Sequence, residues 1–265
     1  MCLLVVAWQM HARYRLVVAA NRDEFHARAA AALAKWPPPA ELLAGRDLRS
    51  QGTWLGIDRA RRFGVVTNFR ELQPPLPAAP SRGELIPEYL GARSAAPKLS
   101  AADFLAALES RAAAYSGFNL LLADAASLWY GSNRTTPFAR QLPPAVYGLA
   151  NESLDTPWPK LQRVRAGFEA WLQQGTVATV EGLFALLADR RPAEATLPAH
   201  TGALPREWAR ALSAPFVLHP EYGTRCSTVV LLEGDGHLHI AERRFEATGA
   251  PSGTTEFRLA PGEWP

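Results

Sequence analysis

The sequence is poor in cysteine, in lysine and in long apolar runs. Its 265 residues include two cysteines, Cys2 and Cys226. Two are too few for a disulfide framework, and neither sits in a CxxC or Cys/His cluster of the kind that holds structural zinc. Only three of the 28 basic residues are lysine (Lys35, Lys98 and Lys160), so arginine carries the positive charge. No block of five or six like charges occurs, and the formal net charge of +3 is a small excess. A nucleic-acid-binding arm is not expected. The Ala/Arg/Pro-rich bias fits a high-GC genome. No apolar run is long enough for a membrane helix. The opening apolar stretch Met1–Trp8 is short, lacks a preceding basic segment and meets the polar Gln9–Arg13 at once, which argues against a signal peptide. The expectation is a cytoplasmic chain with no membrane span and no nucleic-acid partner; the oligomeric state stays open.

What is present suits a folded protein: 48% hydrophobic and 20% charged residues. No internal repeat or linker divides the chain, so residues 1–265 read as one domain. Residues 3–8 and 14–20 are β-rich runs around a polar break and read as a hairpin. Thr53–Ile57 and Phe63–Thr67 suggest a second hairpin. Ser81-Arg82-Gly83-Glu84 has the capping-box pattern of a helix start, and Ser100-Ala101-Ala102-Asp103 opens another helix, to about Ala114. Strands are expected at Phe118–Ala123, Ser127–Tyr130 and Val146–Ala150. Thr156-Pro157 reads as a helix cap and first position, with Lys160–Gln174 following. Thr179 leads into a helix to about Arg190. Residues 192–215 are ambiguous. Ser227–Glu233 and His237–Phe245 flank Gly234-Asp235-Gly236, a strong hairpin signal, and Phe257–Leu259 suggests an edge strand. Strands and helices in this order point to an α+β layered domain with mostly antiparallel sheets.

Cys2 is the first candidate for chemistry. Removal of Met1 before a small residue would leave a thiol and an α-amine on one residue, with reference pKa values near 8.5 and 8. One could serve as base for the other. A hairpin centred near His11-Ala12 pairs residues whose numbers sum to about 23, which places Cys2 opposite Asn21. Asn21-Arg22-Asp23-Glu24 then lies beside it, and a cation lowers a thiol's pKa. The same cluster is also readable as a salt-bridged turn that ends a strand. His237-x-His239 places two imidazoles on one face of a strand; a solvated hairpin explains them as well as a metal does, and no metal is expected. Trp54, Trp129 and Trp158 fit core packing or a pocket lining.

Met1-Cys2, Asn21-Arg22-Asp23-Glu24, Gly52-Thr53-Trp54-Leu55-Gly56, Thr67-Asn68-Phe69-Arg70 and Ser81-Arg82-Gly83 together resemble the NRDE family, that of the Transport and Golgi Organization 2 proteins. Gly117–Leu121, Gly148–Asn151, Leu154–Lys160 and Tyr222–Thr228 extend the resemblance over most of the chain; Gln51 and Ala150 depart from the pattern. That family in turn is similar to the N-terminal-nucleophile hydrolases, most closely the choloylglycine hydrolase and penicillin V acylase group. The resemblance implies a four-layer αββα sandwich with mostly antiparallel sheets. It implies Cys2 as nucleophile, Arg22 and Asp23 (or Glu24) beside it, Asn68 and Asn151 for the oxyanion, and Arg225 as a late arginine.

The function so implied is hydrolysis of a C–N bond in a non-peptide amide by the Cys2 thiolate, without a cofactor. The alternative is a cytosolic protein that binds or traffics haem or another hydrophobic ligand on the same fold. The expected partner is a small amide or a hydrophobic ligand.

Overall fold

The protein is represented by a computed structural model that describes residues 2–38, 40–71, 78–91, 99–174, 179–193 and 205–265. Much of the proline-rich stretch 74–80, and residues 194–204 of the ambiguous segment, lie outside the described residues.

The first hairpin forms from β1 (Cys2–Trp8) and β2 (Tyr14–Phe25). Between them Gln9 takes a left-handed φ of 53° and its N–H donates to Arg15 O at 2.8 Å. That bond widens the turn and sets the register one residue from the expected one: Cys2 pairs with Arg22, and Leu3 with Asn21. Because side chains alternate across a strand, a one-residue slip exchanges the faces. Arg22, not Asn21, therefore shares the face of Cys2.

Strands β3 (Ala30–Lys35), β4 (Leu42–Asp47), β5 (Leu55–Asp58) and β6 (Phe63–Asn68) follow in an antiparallel meander. β7 (Phe118–Ala123), β8 (Leu128–Ser132) and β9 (Ala139–Leu142) complete this seven-stranded sheet. The other sheet has six strands in the order β10 (Ala145–Leu149), β1, β2, β11 (Tyr222–Glu233), β12 (Leu238–Phe245) and β13 (Pro251–Leu259).

β3 is legible only in three dimensions. Its sequence, Ala-Ala-Ala-Leu-Ala-Lys, has high helix propensity. Yet the register breaks between Ala31 and Ala34, and the Leu33 N–H leaves the ladder to donate to Glu242 Oε1 at 2.8 Å. A carboxylate buried on β12 needs such a donor, and tertiary context overrides propensity.

Leu4, Val6, Leu16, Val18, Val230 and Ile240 from one sheet pack against Leu43, Ile57, Phe63 and Leu121 from the other. Burying each such side chain contributes about 1.5–3 kcal/mol, against about 0–1 for an exposed ion pair, so this apolar layer holds the sheets together. The six-stranded sheet's outer face packs against α3 (Pro159–Leu172) and α4 (Val180–Leu187) through Leu3, Val5, Val17, Phe168 and Leu183. The outer face of the seven-stranded sheet packs against α1 (Leu85–Tyr89) and α2 (Ala101–Glu109). A fifth helix, α5 (Arg206–Leu212), rises from the segment the sequence left ambiguous.

Ser100 and Thr179 cap α2 and α4 by accepting from the N–H groups of Asp103 and Gly182. The expected Thr156 cap is displaced two residues: its hydroxyl donates to Ser153 O, and α3 starts at Pro159 behind Trp158. The expected four-layer N-terminal-nucleophile hydrolase-like sandwich is also corrected. Helices and strands are mixed, and both sheets are open. They end on edge strands β10 and β13 in one and β3 and β9 in the other, because no strand runs from one sheet into its neighbour.

Candidate functional site at the end of β1 and β2

Cys2 opens β1, but its side chain lies outside the described part of the structure. Its row partner Arg22 pairs on the other side with Cys226 of β11, and Cys226 with Arg244 of β12. Arg22, Cys226 and Arg244 belong to the row that faces the seven-stranded sheet, Arg22 two residues beyond Ala20 of the inter-sheet core. Arg22 is 6% exposed. Its Nη2 donates to Asp47 Oδ2 of β4 at 3.2 Å and lies 3.8 Å from Glu24 Oε2. Its guanidinium stands 4.3 Å from the centre of the Trp54 ring. Its Nη1 is buried without a hydrogen-bond acceptor among the described residues. Beside it runs a narrow, mostly apolar slot between the sheets, lined by Leu4, Trp54, Leu55, Val65, Thr67 and Thr228, with room for about one water molecule.

Asp47 organises this corner. Besides Arg22 it accepts from Arg28 Nε at 2.6 Å and from the N–H groups of Arg49 and Ser50. Burial opposes its ionisation, but the Arg28 and Ser50 hydrogen bonds and the two arginine charges hold its carboxyl below the usual range. Gly52 is required just after it, since a Cβ there would lie 2.3 Å from the carbonyl oxygen of Gly83.

Asp23 points to the opposite face of β2, toward the α3 and α4 layer. It is fully buried; burial pushes its carboxyl up, while Lys160, the Thr224 hydroxyl and Arg22 pull the other way. Thr224 Oγ1 donates to Asp23 Oδ1 at 2.7 Å, and the Tyr222 hydroxyl donates to the Asp23 carbonyl. Lys160 is 1% exposed and donates to Leu212 O at 2.9 Å. Sequence reasoning missed Lys160; the available signal was its rarity, as one of three lysines in a chain that otherwise uses arginine. Asn21, on the same face, spends its amide on Leu187 O and Pro215 O and accepts from Ser227 Oγ at 2.6 Å. Glu24 turns back to accept from the Phe25 N–H.

Asn68 and Asn151 come together, but through one another. Asn151 Nδ2 donates to the Asn68 carbonyl at 2.9 Å, and the Asn151 carbonyl accepts from the Arg70 N–H at 2.6 Å. The Asn68 side chain is exposed. These amides staple the ends of β6 and β10. Arg70, also missed, is half-buried, and no side-chain hydrogen bond or ion pair to another described residue is seen for it. Burial draws its guanidinium below the ordinary value, opposed by Glu152 and Tyr222.

Arg225 is not brought to Cys2. It sits in a register break of β11 between Thr224 and Cys226, and its Nη1 donates to the carbonyls of Phe25, His26 and Arg28. The bulge re-aims it toward the turn after β2. Elsewhere, Glu233, Asp235 and His237 are the described residues whose ligand atoms gather within 4.8 Å, on an exposed hairpin. Glu233 is already paired with Arg13, and His237 and His239 each bond a carboxylate, Asp235 and Glu256.

Chemically, the corner offers buried cations on both faces of β2, a guanidinium N–H with no acceptor among the described residues and an apolar slot. No helix among the described residues is long and apolar enough to cross a membrane.

The family model described as Transport and Golgi organisation 2 matches residues 1–247. The Transport and Golgi organization protein 2 homolog of Bos taurus is 36% identical over 264 residues, 93% of this chain and 93% of that protein. The homolog of Homo sapiens is 34% identical, covering 87% of this chain and 86% of that one. Transport and Golgi organization protein 2 of Drosophila melanogaster is 28% identical, with 86% of each covered. These matches overturn the assignment to an N-terminal-nucleophile hydrolase-like NRDE family. With it go the Cys2 amidohydrolase activity and the hydrolase fold inferred from it, since transport and Golgi organisation are what these proteins are named for. The chain belongs to the Transport and Golgi organisation 2 family.

Proposed function

We propose that this chain serves in transport, the role named for its relatives, by holding a small ligand non-covalently at the Arg22 corner, in the cytoplasm. The observation that carries this reading is Arg22 itself. A buried guanidinium N–H without an acceptor costs about 1–3 kcal/mol, and this one is kept in place by Asp47 and Trp54 beside an apolar slot. The complementary ligand has an anionic oxygen for Arg22 and an apolar body that displaces water from the rim. Hydrophobic carboxylates fit that description, haem among them. The slot at rest admits only about one water molecule, so the apolar body would part the ends of β1 and β6 rather than fill a ready cavity. Arg70 supplies a second cation near the same end of the sheet.

The test is titration with two probes, haem followed by its Soret band and hexadecanoate followed by calorimetry. Saturation at one equivalent by either probe is expected. Arg22→Gln should weaken it about ten- to a hundredfold, the worth of a charge-assisted hydrogen bond. If neither probe saturates, or if Arg22→Gln binds as the parent does while remaining folded, the reading is wrong.

A further inference from the structure

Five large apolar side chains are exposed among the described residues: Met10, Phe25, Leu48, Leu99 and Leu218. Three of them, Phe25, Leu48 and Leu218, lie on segments whose backbones are tied to the turn that follows β2 or to the start of β11 beside it. Phe25 begins the turn and is 49% exposed. Leu48 is tied to it by its N–H, which donates to Ala29 O. Leu218 bridges Gly223, which immediately precedes the Thr224–Cys226 break that aims Arg225 at the turn.

The exposure of Phe25 is built rather than incidental. Arg225 Nη1 clamps the carbonyls of Phe25, His26 and Arg28, and the His26 N–H donates to Glu221 O. The turn is thus tied at several points, with the phenyl ring outside. Behind Phe25 stand amphipathic aromatics. Tyr222 packs edge-on at 5.1 Å, and Trp208 of α5 lies at 6.2 Å from Phe25 and 4.1 Å from His219.

The charge on these elements favours an anionic partner. Exposed Arg49, Arg206 and Arg210 have no carboxylate partner among the described residues, and Arg225 spends its charge on carbonyls. Glu207 and Glu221 oppose them, while Glu24 and Asp47 are already engaged by Arg22 and Arg28. An apolar tip backed by Trp and Tyr, with an excess of arginine, matches the boundary between headgroups and acyl chains of an anionic bilayer.

We infer that the end of the molecule around the Phe25 turn docks on anionic phospholipid membranes, with Phe25, Leu48 and Leu218 dipping below the headgroups. It is a surface contact and needs no spanning segment. The inference goes beyond ligand binding at Arg22 and stands apart from it: Phe25 directly follows the Asn21–Glu24 segment, but its side chain points away from the Arg22 slot.

The experiment is flotation of the full chain with vesicles of phosphatidylcholine alone and of phosphatidylcholine with about a third phosphatidylserine, at low salt and at about 0.15 M, where the Debye length is about 8 Å. Binding to the anionic vesicles, weakened by salt, is expected. Phe25→Ser should lower partitioning about tenfold, and Arg206→Gln with Arg210→Gln about fivefold for each charge removed. Arg22→Gln should leave it unchanged, which separates this surface from the ligand site. Circular dichroism establishes that each variant is folded. Absence of binding to anionic vesicles at low salt overturns the inference, as does binding indifferent to Phe25→Ser. So does a shift from dimer to monomer on Phe25→Ser without vesicle binding, which would make the patch a contact between copies.

Discussion

Arg22 of β2 and Asp47 of β4 join the two sheets: guanidinium Nη2 and carboxylate Oδ2 lie 3.2 Å apart, both side chains nearly out of solvent. Removing one member of such a pair leaves the other charge buried without compensation. Asp47→Asn is therefore expected to destabilise by about 3 kcal/mol, measured by urea denaturation. Because Asp47 titrates below its usual range, its contribution is present above the unfolded-state pKa near 3.9 and is lost as pH falls through the lower folded value. The gap between parent and Asp47→Asn should accordingly close in acid. A gap that stays constant down to pH 2 would contradict the pairing.

Glu242 has the opposite sign. Burial pushes its carboxyl up, and the Leu33 N–H, Cys226, Arg244 and Arg22 only partly oppose this. A raised folded pKa gives stability that is full below the unfolded value of about 4.3 and is lost as pH rises through the folded one. Glu242→Gln keeps the acceptor for Leu33 but cannot ionise. Its melting temperature relative to the parent should rise as pH climbs above about 4.3 and level off once the folded carboxyl has ionised; a pH-independent difference would show that Glu242 does not titrate in this way.

Lys160 tests the helix-side layer. Its ammonium donates to Leu212 O and offsets part of the burial cost of Asp23. Lys160→Met preserves length and apolar contact while it removes the donor and the charge. A loss of about 2–4 kcal/mol is expected by chemical denaturation. Asp23→Asn in that background should recover part of it, because the acid left buried is then neutral. Equal stability of the single and double variants would remove the coupling.

Gly52→Ala addresses close backbone packing rather than charge. The added methyl would meet Gly83 C and O at 2.5 and 2.3 Å, and backbone cannot step aside as a flexible side chain does. A loss of about 1–3 kcal/mol is expected, against near-neutrality for Gly234→Ala, where a Cβ meets nothing.

The sequence by itself determined the elements whose signals are local. β-rich apolar runs around polar breaks located β1, β2, β5 and β6, Gly234-Asp235-Gly236 marked the β11–β12 hairpin, and Ser100 and Thr179 announced two helices through caps that each use one nearby N–H. It also carried the family resemblance in its motifs, although the hydrolase reading built on them did not survive the comparisons. Tertiary structure alone decided what depends on distant partners. An alanine-rich run became β3 because Glu242, some 200 residues away, claims the Leu33 N–H. The register of the first hairpin turned on one left-handed residue, Gln9, and so placed Arg22 rather than Asn21 across from Cys2. A bulge turned Arg225 from the Cys2 end to the Phe25 turn. Lys160 is buried only because α3 lies across β1 and β10. In each case the deciding group is far along the chain, and a local pattern carries no record of which buried charge will need which donor.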